Sequence, residues 1–108
     1  MPDRPEIVCL CGSARFVEEL HAANRELTLG GAIVVAPGVL PLPGADEPGE
    51  PMSDEQKAAL GELHLRKIDL ADRVVVVNPG GYVGESTSRE IAYARAGGTP
   101  VSFTDPQG

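Results

Sequence analysis

Glu6-Ile7-Val8-Cys9-Leu10-Cys11-Gly12-Ser13-Ala14-Arg15 decides the fold. A short apolar run reaches Cys11, Gly12-Ser13 interrupts it, and a helical pattern follows: a buried strand, a tight turn and a helix. From Ala14 to about Leu29 the apolar positions Phe16, Leu20, Ala23 and Leu27 recur every three or four residues, and Gly30-Gly31 closes the segment as a C-cap does. Ala32 to Ala36 is again apolar and β-branched, a second strand. Two strands joined by a helix form a βαβ unit with a right-handed crossover, so the sheet is expected to be parallel.

The rest of the chain continues the alternation. Pro37 to Pro51 holds five prolines and three glycines, which suit neither periodicity, and is expected to be an irregular loop serving as a lid. Ser53-Asp54-Glu55-Gln56 has the spacing of a capping box, and Leu60, Leu63, Ile68 and Ala71 mark one face of a second helix ending near Asp72. Arg73 to Asn78 contains four consecutive valines, the composition of a strand covered on both faces. A second capping-box spacing, Thr87 to Glu90, is read as the start of a third helix running to Ala96, with Gly97-Gly98 after it and a last strand at Pro100 to Phe103. The pattern predicts one domain over residues 1–108: an α/β doubly wound fold with a four-stranded parallel sheet of order 2-1-3-4.

In such a sheet a ligand binds where the chain reverses direction, at the carboxyl ends of strands one and three. Two segments are forced there. Gly12-Ser13-Ala14-Arg15 offers backbone N–H groups at a helix start, a hydroxyl and a guanidinium, a cradle for phosphate, although ordinary capping by Ser13 with Arg15 in solvent fits the same residues. Pro79 to Ser88 is longer than a connecting turn needs and brings Gly81, Gly84, Glu85, Ser86 and Ser88 as candidate substrate-binding residues. Glu90 is the candidate catalytic carboxylate. At N3 of the third helix it would satisfy a backbone N–H, while the same geometry aims it into the crevice as a nucleophile or general base. Periodicity leaves both open.

Bulk properties narrow the partners. The 108 residues carry a formal charge of -7, which disfavours a nucleic-acid polymer, because such binding needs a basic face. The longest apolar runs are far short of a membrane span, and Met1 to Glu6 is too short and charged for a signal peptide, so a cytoplasmic protein is expected. Cys9 and Cys11 share a strand face without the geometry of a local disulfide, which fits a reducing compartment. The two histidines, His21 and His64, sit at no ligand spacing with another such residue, so neither metal nor cofactor is expected.

Three segments, Cys11-Gly12-Ser13-Ala14-Arg15, Ala71-Asp72 before the valine strand, and Glu90-Ile91-Ala92-Tyr93-Ala94 before Pro100-Val101, resemble the nucleoside 2-deoxyribosyltransferase superfamily, which includes the 2′-deoxynucleoside 5′-monophosphate N-glycosidases. The resemblance implies a flavodoxin-like (Rossmann-like) three-layer fold, a homodimer or larger homo-oligomer, and a nucleoside or nucleotide substrate. It also implies that the Gly12 to Arg15 turn holds a 5′-phosphate and that the glutamate at Glu90 attacks C1′. Two positions depart from it: Cys9 stands where the family often has tyrosine, and His64 where it often has aspartate. His64 is read either as a group hydrogen-bonding sugar or base, or as a structural histidine. Pro79-Gly80-Gly81-Tyr82 with Glu85 and Glu90 is also similar to the motif of the cytokinin-activating phosphoribohydrolases of the lysine-decarboxylase-like family. The function classes are therefore an N-glycosidase or deoxyribosyltransferase, such a phosphoribohydrolase, a non-catalytic nucleotide-binding module, and an interaction protein, whose apolar surface would be Val39, Leu40 and Leu42.

Overall fold

The computed structural model describes residues 4–38 and 53–105. Strand β1 (Ile7–Gly12) leads through one 3-10 turn, Ala14–Phe16, into α1 (Val17–Leu29) and β2 (Ile33–Val35). Then come α2 (Asp54–Leu70), β3 (Arg73–Val77), a 3-10 turn at Pro79–Gly81, α3 (Glu85–Ala96) and β4 (Val101–Phe103). All pairings are parallel, in the order β2-β1-β3-β4 that the sequence predicts. Most of the expected lid, from Val39 to Pro51, lies outside the described residues, as do Leu40 and Leu42.

Alternation along the strands divides the core in two. Val8, Leu10, Val75 and Val77 face α1, where Leu20 and Ala23 close over them. Cys9, Cys11, Val74 and Val76 face the other way, under Ile68 of α2 and Ile91 and Ala94 of α3. The result is a three-layer α/β sandwich whose central strands are shielded on both faces, as their uninterrupted apolar composition requires. No helix among the described residues is long and apolar enough to cross a membrane.

Local chemistry sets the helix ends. Gln56 donates its backbone N–H to Ser53 Oγ (3.1 Å) and accepts the Ser53 N–H at Oε1 (2.9 Å), closing the expected capping box. Helix α2 stops at Leu70 rather than Asp72, and its buried face is His64 and Ile68, with Leu63 turned outward at 51% exposure. Asp72 is a brace at the amino end of the sheet, away from the crevice. It takes both guanidinium nitrogens of Arg4 (2.8 and 3.1 Å) and the Ile7 N–H (2.8 Å), and these donors hold its carboxyl down at about 2.

The third helix corrects the sequence reading. It starts at Glu85, with Gly84 at the N-cap and the Ser88 N–H closing the first turn on the Gly84 carbonyl at 2.9 Å. Thr87, expected as a cap, is buried inside that turn. Glu90 therefore lies in the second turn and caps nothing.

Gly12 ends β1 beside Val77 of β3, where a Cβ would stand 3.0 Å from the Val77 carbonyl oxygen and 3.3 Å from Leu20 Cδ2. The nearer neighbour is backbone at the end of the central strand β3 and has little room to give. Gly12→Ala is expected to cost about 1–3 kcal/mol through overpacking, read as a lower urea midpoint at unchanged slope.

Candidate active site

The crevice opens between the end of β1 and the start of α3. Gly12, Ser13 and Ala14 line one wall and Gly84, Glu85 and Ser86 the other, with the Glu90 carboxyl between them. A second concavity continues from Gly12, Ser86 and Glu90 past His64 to Lys67, beneath Pro37 and Gly38. Glu90 borders both hollows.

Several predicted residues thus converge, namely Gly12, Ser13, His64, Gly84, Glu85, Ser86 and Glu90. Glu85 occupies the first turn of α3 rather than a loop. Gly81 and Ser88 lie outside the lining of both hollows. Gly80 and Gly81 have φ of 66° and 85°, a left-handed pair that turns the chain after β3, so their glycine requirement is conformational. Ser13 does cap locally, its Oγ accepting the Arg15 N–H at 3.3 Å, and it also faces the crevice. Arg15 stands at the rim with its guanidinium over the Tyr82 ring, 4.5 Å from the centroid, and Phe16 meets that ring edge-on. Its side chain is exposed and is held by stacking rather than by a carboxylate.

Behind Glu90 lies a buried polar cluster. His64 Nε2 is 3.8 Å from Glu90 Oε1, 3.3 Å from Cys11 Sγ and 3.6 Å from Cys9 Sγ. The expectation of no metal rested on the spacing of the histidines along the chain, and folding overturns that premise by setting His64 of α2 against both β1 cysteines. These three residues are the group among the described residues whose donor atoms could hold an ion. Neither cysteine is in a disulfide.

The protonation states follow from this packing. Burial raises the Glu90 carboxyl above its ordinary range, and the His64 charge and a Cys11 hydrogen bond only partly offset that. Burial lowers His64, but the Cys9 hydrogen bond and the negative charge of Glu90 outweigh it, leaving the imidazole more basic than usual. The hydrogen bond between the thiols makes Cys9 the more acidic of the pair and pushes Cys11 up.

Sequence reasoning missed three contributors. Lys67 reaches across to the Ala36 carbonyl at 2.8 Å and lines the inner hollow, as does Lys57. Their spacing of ten residues on one helix face carries no motif. Asn78, fully buried at the end of β3, accepts the Asp105 N–H and donates to the Asp105 carbonyl, both at 2.9 Å, extending the sheet edge through a side chain. An asparagine closing an apolar run with a proline behind it is the signal that was available.

Comparison with known proteins adds the architecture. No protein-family model and no curated protein matches the chain. Among solved structures it is similar to a 2-deoxyribosyltransferase from the psychrotolerant bacterium Bacillus psychrosaccharolyticus, with a TM-score of 0.65 and 19% identity over 94% of this chain and 77% of that one. That protein is described as a biocatalyst for the synthesis of nucleosides. At this identity the likeness shows a shared fold, the three-layer α/β sandwich on a four-stranded parallel sheet.

Asn78→Ala leaves the N–H and carbonyl of Asp105 without their side-chain partners and opens space at a fully buried position. A loss of about 2–4 kcal/mol is expected in chemical denaturation.

Proposed function

We propose that this protein binds a nucleoside or its 5′-monophosphate in the crevice and breaks or transfers the N-glycosidic bond, with Glu90 as nucleophile. The observation that supports this most is the position of Glu90: a carboxylate with 15% of its side chain exposed, at the junction of two hollows, facing a glycine-serine turn at the carboxyl end of β1. A Glu90 oxygen attacks C1′ as the C1′–N bond breaks. The base leaves with the bonding pair and takes a proton, and the glycosyl ester then passes to water or to a second base. Ser13 and the Gly12 to Arg15 backbone receive the 5′ end, while Glu85, Ser86 and Gly84 form the opposite wall. The enzyme works in the cytoplasm as a homodimer or larger homo-oligomer, which would shelter exposed apolar side chains such as Leu29 and Leu70, and light scattering at micromolar concentration should show more than one chain per particle.

A second reading has its own observation. Glu90 is 3.8 Å from His64, with Cys11 beside it, so part of its charge is already engaged, as suits a module that holds a nucleotide without turnover. Incubation with deoxynucleosides and their monophosphates, followed by chromatography for free base, separates the two.

The nucleophile must be ionised, and its pKa lies above the ordinary glutamate value. Base release should therefore rise with pH across that raised pKa, with its acid limb at higher pH than an unperturbed glutamate would give. Glu90→Gln is expected to lower the rate by orders of magnitude while nucleotide affinity and fold survive. Retained turnover in that variant removes Glu90 from the chemistry.

Arg15 is the cation available at the rim for a 5′-phosphate. Arg15→Ala should reduce the preference for monophosphate over nucleoside by about 10-fold or more, the worth of one charge-assisted hydrogen bond, with nucleoside affinity unchanged in calorimetry.

A further inference from the structure

The arrangement of Cys9, Cys11 and His64 is more specific than a polar patch in a core. The two sulfurs come from alternate residues of β1, so both point to the face beneath α2, and His64 aims Nε2 between them. All three donor atoms lie within 4.8 Å of one another. One imidazole nitrogen offers a single lone pair or a single N–H, so it makes one good hydrogen bond, yet two sulfurs approach it at 3.3 and 3.6 Å. A tetrahedral zinc ion, with Zn–S about 2.3 Å and Zn–N about 2.0 Å, needs S···N edges of roughly 3.5 Å. Both edges seen here match that length.

We propose that Cys9, Cys11 and His64 form a zinc(II) site, with its fourth position directed at Glu90. Glu90 Oε1, 3.8 Å from His64 Nε2, is placed to complete the tetrahedron or to leave that position to water from the crevice. Thiolate and imidazole donors are the set that a borderline-soft ion prefers, and three protein ligands with one open position is the pattern of a reactive rather than a purely structural zinc. Binding converts two thiols to thiolates and releases two protons to solvent. The charges then balance: two thiolates and the Glu90 carboxylate face the dication and the nearby Lys67 ammonium. Access is through the inner hollow, which His64, Glu90 and Lys67 line together.

The proposal does not depend on the glycosidase reading, but the two interact. An ion that takes Glu90 as its fourth ligand withdraws the carboxylate from C1′, so zinc would inhibit base release wherever base release is observed.

The test uses the full chain, stripped with a chelator and titrated with zinc against a chromogenic competitor, then with cobalt(II) under anaerobic conditions. Expected are one equivalent of zinc per chain, a cobalt form with tetrahedral visible bands and an intense thiolate-to-cobalt band in the near ultraviolet, and release of about two protons per zinc bound. Cys11→Ser should weaken zinc by at least about 100-fold and lose about half of the charge-transfer intensity. Should that variant fail to fold by circular dichroism, the zinc stoichiometry and the cobalt spectrum of the native chain decide alone. No stoichiometric zinc at micromolar concentration overturns the site, as does a cobalt form without thiolate bands. A chain that takes zinc in this way and releases no base from any nucleotide leaves the site standing and removes the glycosidase.

Discussion

The parallel pairing of β1 with β3 is the constraint on which the rest of the molecule depends. Val8 to Gly12 lies in register with Arg73 to Val77, and that single alignment brings the Gly12-Ser13 turn beside the chain leaving Val77. The chain winds one way from β1 to β2 and the other way from β2 to β3, so the two turns diverge and leave a crevice between them. Gly12 sits where the pairing leaves no room for a Cβ. Its missing Cβ lets the strands stay in contact up to the rim, and any larger residue would press on the Val77 carbonyl.

The same register decides which side chains meet behind the crevice. Since period-2 alternation sends Val8 and Leu10 to α1, Cys9 and Cys11 must face α2 and α3. Into that apolar layer α2 sends His64 and α3 sends Glu90, two groups whose burial costs free energy unless they are partnered. They partner each other and the two thiols, which explains why their protonation equilibria move together: burial acts against both charges, and each charge favours the other. An apolar pair would have packed the layer with less electrostatic cost.

Much of the fold was legible because strand composition, glycine C-caps and one capping box all report local physics, and local physics sets the elements here. The sheet order followed from handedness. What local reading missed has a common cause. Thr87-x-x-Glu90 has capping-box spacing, but Gly84 can begin the helix a turn earlier because its extended backbone suits an N-cap, and burying Thr87 in the first turn satisfies the tertiary packing. The apolar spacing of α2 points Leu63 inward, yet His64 is buried and Leu63 is exposed. The helical phase is fixed by where β1 sits under α2, and chain periodicity cannot see that. The wall residues of the site were legible by topology, whereas the cluster on its floor was not: Cys9, His64 and Glu90 belong to three elements, and no spacing along the chain encodes their meeting.

Glu90 is where these lines join, because its proposed role and its observed packing ask different things of one carboxylate. The proposed nucleophile would have to present an ionised oxygen to the crevice; as a neighbour of His64 and the cysteines, Glu90 is drawn back toward the floor. A protonated His64 favours the carboxylate by charge but holds it away from a ligand, whereas a neutral His64 frees it and removes that charge. The pull is electrostatic and acts over 3.8 Å in a largely buried setting, where charges are weakly screened. On the proposed reading, an ion held between Cys9, Cys11 and His64 would set how far the Glu90 oxygen reaches into the crevice, so the two proposals meet at one carboxylate.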